Sequence, residues 1–321
     1  MDGGTEIRCW DDLLPDALEL IFRKLSLQEL LTVAPAVCKS WLRLVSGPHF
    51  WQEIDIEEWS RDNRSAPERV ERLVRMLVSR SLGSFRKLCV VGISNESTFS
   101  FIADHAGSLQ TLQVTRSNIS DSVVEEIAGR LSNVTVLDIS FCPKIGAVAL
   151  EAIGNNCKSL VELRMLRDPM DDSGKMCQDD EAHAIATTMP RLKRLDMCYC
   201  LLTNKGVVEI ISNLKVLEFL DIVGCWDVEI DDKFLKETST GLRVRGPHVN
   251  CQDQSFWDGC SDYSGSSAYA AWEYGDDDFG DYDADSFDGA WGEDQGLDEL
   301  ELRFYDGVND VGFGLDWPPS P

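Results

Sequence analysis

Eleven cysteines and four histidines are the side chains here best suited to metal binding or nucleophilic chemistry. Neither group is spaced for it. Cys198-x-Cys200 and Cys251-x8-Cys260 do not form the paired C-x-x-C hooks of a zinc site. His49, His105, His183 and His248 are scattered, and none shares a recognisable motif with a Cys or Ser nucleophile. No glycine-rich loop has the spacing that cradles a phosphate or a dinucleotide. Carboxylates crowd residues 251–321, but solvated carboxylates have nothing to drive their pKa values apart for acid–base work. The expectation is a protein that is not an enzyme and holds no metal and no cofactor. Cys142, Cys200 and Cys225 share a different logic: each stands five residues after a leucine of a recurring pattern, which predicts small buried residues at turns.

That pattern is apolar-x-x-Leu-x-apolar. It reads Phe85-Leu88-Val90, Leu109-Leu112-Val114, Val134-Leu137-Ile139, Leu160-Leu163-Met165, Leu192-Leu195-Met197 and Leu217-Leu220-Ile222. The central Leu recurs at intervals of 24, 25, 26, 32 and 25 residues. A second apolar patch follows each of the first five: Phe101-Ile102, Ile127-Ala128, Ile153, Ile185 and Ile211 mark helices, and Cys157 ends one of them. One strand plus one helix per unit is the leucine-rich-repeat signature, which predicts an α/β solenoid of about six units over 83–246. The long interval holds an acidic insertion, Asp168 to Glu181, with Asp171, Asp172, Asp179 and Asp180. Insertions in solenoids map to one face, so this one is either a contact loop or tolerated drift.

Before the repeats, residues 10–55 read as short helices. Asp12 is a candidate cap and Pro15 a helix start, with Leu18, Ile21, Phe22 and Leu25 on one face. Ser26 caps a second helix, Pro35 interrupts it, and a third stretch carries Val37, Cys38, Trp41, Leu42 and Val45 up to Gly47-Pro48. Such short helices must pack on each other or on a partner. Residues 56–82 read as a linker and a helix from Glu68 to Ser81, whose apolar side (Val70, Leu73, Val74, Leu77, Val78) suits a cap on the first repeat.

Thirty Lys and Arg oppose 56 Asp and Glu, a net charge of -26. Residues 251–321 hold 19 of the acids, a single base (Arg303) and 14 of the 28 aromatic residues, without a periodic apolar face. A disordered acidic-aromatic tail is expected there. The charge excludes an electrostatic nucleic-acid binder and disfavours an anionic membrane surface. No uncharged apolar run reaches membrane-spanning length, and neither Met1–Trp10 nor Trp317–Pro321 reads as a secretory, prenylation or retention signal. An odd cysteine count in a chain this long fits a reducing compartment, nucleus or cytoplasm.

The run Leu14-Pro15-Asp16-Ala17-Leu18-Glu19-Leu20-Ile21-Phe22-Arg23-Lys24-Leu25, then Leu30, then Val37-Cys38-Lys39-Ser40-Trp41, with a further Trp51, resembles the F-box. Ala17, where Leu or Ile is usual, and Pro35 are its departures. Followed by leucine-rich repeats, it is similar to the plant F-box/leucine-rich-repeat proteins, with Trp51-Gln52-Glu53-Ile54-Asp55-Ile56 as the joining phrase. The resemblance covers residues 10–244 and implies a substrate-recognition subunit of a Skp1-cullin-F-box ubiquitin ligase. Leu14, Pro15, Leu18, Ile21, Phe22, Leu25, Leu30, Val37, Cys38 and Trp41 would then dock a Skp1-like protein, which links through cullin to a RING subunit. A partner groove would cover apolar surface that some fifty residues cannot bury alone.

The repeats would hold the protein substrate. Residues flanking each central Leu face the concave side of such an array. One row reads Cys89, Gln113, Asp138, Arg164, Asp196, Asp221, and the other Lys87, Thr111, Val136, Glu162, Arg194, Phe219. Candidate contacts are Asp138, Glu162, Arg164, Arg194, Asp196, Phe219 and Asp221, with Phe219 as an aromatic anchor. A rival reading is an interaction scaffold or transcriptional co-regulator acting through the acidic tail without ubiquitination.

Overall fold

The computed structural model describes residues 13–63, 66–169, 177–229 and 241–248. The expected tail over 251–321, the candidate cap Asp12 and the centre of the acidic insertion lie outside the described residues.

Among the described residues, eight parallel strands are hydrogen-bonded in strict chain order. They are β1 (Glu53–Asp55), β2 (Lys87–Val91), β3 (Thr111–Thr115), β4 (Val136–Asp138), β5 (Glu162–Arg164), β6 (Arg194–Asp196), β7 (Phe219–Asp221) and β8 (Arg243–Arg245). Helices make the crossovers: α5 (Glu57–Asp62) and α6 (Pro67–Arg80) between β1 and β2, then α7 (Glu96–Asp104), α8 (Asp121–Ile127), α9 (Ala147–Asn156), α10 (Asp179–Thr188) and α11 (Asn204–Asn213). The six strands read from the leucine pattern are β2 to β7, and β1 and β8 extend the sheet at either end. Ile54, Leu88, Leu112, Leu137, Leu163, Leu195, Leu220 and Val244 stand in one register row across all eight. All but Val244 are buried, forming the spine of one continuous core. Because β1 precedes it, α6 is the crossover helix of a first unit rather than a cap placed ahead of the array.

Each unit is closed by the main chain. Four residues past the central position, Gly92, Arg116, Phe141, Arg167, Tyr199 and Gly224 donate N–H to Thr115, Ser140, Leu166, Cys198, Val223 and Pro247, at 2.7–3.0 Å. Five of these six adopt left-handed φ, from 52° to 79°; Arg167 is the exception. Gly224 is also sterically required, since a Cβ there would run into the Tyr199 ring. One residue further on, the buried thiols of Cys142, Cys200 and Cys225 donate to the carbonyls of Val114, Met165 and Met197 at 3.1, 3.3 and 3.2 Å. Burial pushes the Cys142 and Cys225 thiols up to about 12, so they stay protonated donors.

The N-terminal helices are α1 (Pro15–Phe22), α2 (Leu27–Thr32), α3 (Ala34–Val37) and α4 (Lys39–Ser46). Pro15 occupies the first turn of α1, where its missing N–H costs nothing. Ser26 and Glu29 form a capping box on α2: the Ser26 Oγ accepts from Glu29 N at 3.2 Å, and Ser26 N donates to Glu29 Oε2 at 2.9 Å. Pro35 falls in the first turn of α3, so it starts a helix as well as interrupting one. Phe22 meets Trp41 edge-on at 4.7 Å, Phe50 packs on both Phe22 and Trp51, and Trp51 Nε1 donates to Val45 O at 2.7 Å. The helical turn carrying Phe50 and Trp51, Pro48–Gln52, packs on both α4 and α6 and runs straight into β1. That turn welds the helical cluster to the array.

Candidate functional site

Two surfaces stand out, one on the N-terminal helices and one on the sheet. On the helices, the ten residues singled out from sequence divide sharply. Leu14 is 73% exposed and Val37 50% exposed, and Pro15 and Ile21 are also open to solvent. Leu18, Phe22 and Leu30 are buried in the chain's own core, and Leu25 and Trp41 pack against it. Cys38, partly buried, is the extended N-cap residue of α4. The expectation that Leu18 and Phe22 await an external groove is therefore corrected: the aromatic cluster with Trp41 and Phe50 covers them from within. Two residues outside that set, Leu20 and Val33, join the exposed apolar group. Leu20 sits next to the helical face defined by Leu18, Ile21, Phe22 and Leu25, so spacing alone pointed away from it.

On the sheet, the face turned away from the buried leucines carries two rows in the expected register. Glu162, Arg194, Phe219 and Arg243 are mutual neighbours across β5–β8, and so are Arg164, Asp196, Asp221 and Arg245. The aspartates do not project outward as expected: Asp138, Asp196 and Asp221 are all buried. Asp138 and Asp221 fold back on their own main chain, each Oδ1 accepting the N–H two residues on, from Ser140 at 2.9 Å and Val223 at 3.2 Å. Larger neighbours then cover them. Arg164 Nε bonds Glu162 at 2.7 Å and lies 3.5 Å from Asp196, Arg194 Nε bonds Asp196 at 3.2 Å, and Arg245 Nη1 bonds Asp221 at 3.3 Å. The Arg194 guanidinium stacks on Phe219, 4.4 Å from the ring centroid, with Arg243 at 5.9 Å. Burial pushes the Asp196 carboxyl up to about 6, although Arg194 and Arg164 pull it down. Burial raises Asp138 as well. Arg243 and Arg245 were missed from sequence because β8 has no central Leu; the alternation Arg-Val-Arg was its signal.

Among the described residues no group of three or more His, Cys, Asp or Glu is gathered to hold a metal ion. No helix there is long and apolar enough to cross a membrane. What the two surfaces offer is contact: an apolar helical patch and an arginine-lined sheet face.

Comparison with known proteins places this arrangement. Residues 10–57 match the F-box-like family. The chain is 47% identical to F-box protein FBW2 of Arabidopsis thaliana, over the whole of both chains. It is 33% identical to F-box protein SKIP1 of the same plant, across 67% of this chain and 79% of that protein. It is 30% identical to the putative F-box/LRR-repeat protein 23, also of Arabidopsis thaliana, across 70% of this chain and 50% of that one. With an F-box at its N-terminus, a mixed helix-and-strand body behind it, and a relative alike from end to end, this chain belongs to the F-box protein family.

Proposed function

We propose that this protein is the substrate-recognition subunit of a Skp1-cullin-F-box ubiquitin ligase. The helical cluster docks a Skp1-like protein, which connects through cullin to a RING subunit, and the strand–helix array is a leucine-rich-repeat solenoid that holds a protein substrate. The chain supplies proximity, holding substrate near a charged ubiquitin carrier, and no bond-making group of its own. The observation that carries this reading is the exposure of Leu14, Leu20, Ile21, Val33 and Val37 on a cluster whose other apolar residues are already covered. Large apolar side chains left open in this number on one small helical cluster suit a partner site. Reduced thiols bonded to main-chain carbonyls suit the nucleus or cytoplasm, where we place this work.

Replacing Leu14 and Pro15 with Ala tests the reading. Skp1 and cullin should co-purify with the wild-type full chain and be lost from the variant, while circular dichroism and limited proteolysis stay unchanged. Undiminished Skp1 capture by the variant would remove the main support. A wild-type chain that captures neither Skp1 nor cullin would favour a scaffold working through residues 251–321.

A further inference from the structure

We infer that the open sheet face over β5–β8 takes an acidic segment of the substrate protein, bearing two carboxylates about 10 Å apart; the inference rests on the receptor reading above. The face is layered by charge. Its aspartates form the floor, with the Asp196 and Asp221 side chains 9% and 8% exposed, and the more open Glu162 is held by Arg164 at the β5 edge. Its arginines form the rim: Arg194 keeps 38% of its side-chain surface, and Arg243 is exposed. An incoming chain meets guanidinium before it meets carboxylate.

The rim arginines also have donors to spare. Arg194 uses Nε toward Asp196 and Glu162, and neither of its Nη atoms bonds a described residue. The Arg243 side chain makes no ion pair among the described residues and lies 5.9 Å from the Phe219 ring centroid. Stacking on Phe219 fixes the plane of the Arg194 guanidinium and leaves its edge available, the geometry that grips a carboxylate through two parallel N–H groups. Arg194 and Arg243 stand on strands two apart in the sheet, and neighbouring strands are separated by about 4.8 Å, which sets the spacing of the two anions. At the other end of the sheet Lys87 is paired with Asp55 at 2.9 Å and its row continues with Thr111 and Val136, while Arg116, stacked on Phe141 at 4.4 Å, follows β3 and stands outside these two rows. A chain of net charge -26 places four arginines, 164, 194, 243 and 245, on one small face against its overall composition. A basic or purely apolar segment would bury this rim unpaired.

The test is selection from a random peptide library displayed on phage, using the immobilised full chain. Bound phage are counter-selected against the Arg194→Gln, Arg243→Gln double variant, which keeps a polar side chain at each position and removes the charge and the guanidinium donors. Recovered peptides should be enriched in paired Asp or Glu. A resynthesised peptide should bind the double variant roughly tenfold more weakly or worse and lose affinity as salt rises. Enrichment of basic or apolar peptides, or none, overturns the inference. So does a phosphoserine version of the selected peptide binding more than about tenfold tighter, which would make phosphate the true ligand. The receptor reading is judged separately, by substrate capture with the proteasome blocked. If the double variant loses substrate although no acidic peptide is selected, the inference falls and the reading stands. If acidic peptides bind but substrate capture is unchanged, the reading of this face as the substrate site falls instead.

Discussion

Asp196 is the side chain most under strain of competing demands. It lies between Arg164 and Arg194, faces Asp221 from the next strand, and sits above Cys198, yet burial outweighs the arginines. Its Oδ1 is buried and makes no hydrogen bond. A carboxyl held at about 6 in the fold and 3.8 outside it binds a proton more tightly when folded. Stability from this group is therefore fully present below 3.8 and is lost as pH rises through 6. Comparing wild type with Asp196→Asn isolates it from the other carboxylates. The wild type should gain stability relative to the variant as pH falls from 7 to 5, read from urea midpoints at each pH. Parallel curves would mean that Asp196 titrates normally. Sequence placed this residue in its register row but expected it to face outward, because its burial depends on the arginines around it and on how the side chain bends.

Successive helices are tied by a device that the leucine pattern hides. The side chain of Glu96, at the start of α7, accepts from Ser120 N at 3.1 Å, just before α8. Asp121, opening α8, accepts from Gly146 N at 2.6 Å; Asp179, opening α10, from Thr203 N at 2.9 Å; and Asn204, opening α11, from Glu229 N at 2.6 Å. The first three satisfy a main-chain N–H at the next helix entry, and Asn204 does the same for the chain that leaves β7. The bonds from Thr203 pull Asp179 below its usual range despite burial, so its contribution is present above 3.8 and fades as pH falls below that. Helix α9 opens with Ala147 and has no such acceptor. There Arg167 substitutes, donating to Cys142 O and Ile145 O at 2.6 Å and approaching Glu181 at 3.6 Å, all buried. This is the junction that accommodates the insertion, and Arg167 is also the one residue of its row outside the left-handed region. Asp121→Ala should cost about 1–3 kcal/mol, the loss of one hydrogen bond to a charged group. Arg167→Ala should cost more, about 3–5 kcal/mol, because it removes a buried charged donor from Cys142 O and Ile145 O together with the cation beside Glu181. Chemical denaturation orders them, and an Asp121 variant at least as damaging as the Arg167 one would refute the substitution. These acids recur at the repeat spacing and were legible in principle. They went unread because a lone Glu or Asp at a helix start already has a local explanation as a cap, and only the three-dimensional stack shows it reaching into the next unit.

The helical cluster and the array share one core, running from Leu18 and Phe22 through Phe50, Trp51 and Ile54 to the leucines of the sheet. Sequence separated them at residue 55, with a linker beyond. The boundary was drawn there because Glu53-Ile54-Asp55 is too short to declare itself a strand, and two helices stand between Ile54 and Leu88 where later units have one main helix. In the fold that phrase is β1, and Arg23 of the α1 end pairs with Glu53 at 3.1 Å across the junction. A continuous core implies a single cooperative unit rather than a hinged adaptor, so the distance from the docked Skp1-like protein to the substrate face would be fixed by the fold itself. Two substitutions in the same short helix should then behave oppositely. Leu14→Ala should weaken Skp1 binding with stability changed by less than about 0.5 kcal/mol, since its side chain touches mainly solvent in the free chain. Phe22→Ala should cost about 3–5 kcal/mol, and it should do so everywhere at once. Hydrogen exchange on the full chain reads this directly: amides of α1–α4 and of β4–β6 should open with the same free energy in the wild type and fall together in the Phe22 variant. If the sheet amides keep their protection while α1–α4 lose theirs, the helical cluster is a separate unit, and a rigid spacing between partner and substrate can no longer be attributed to the shared core.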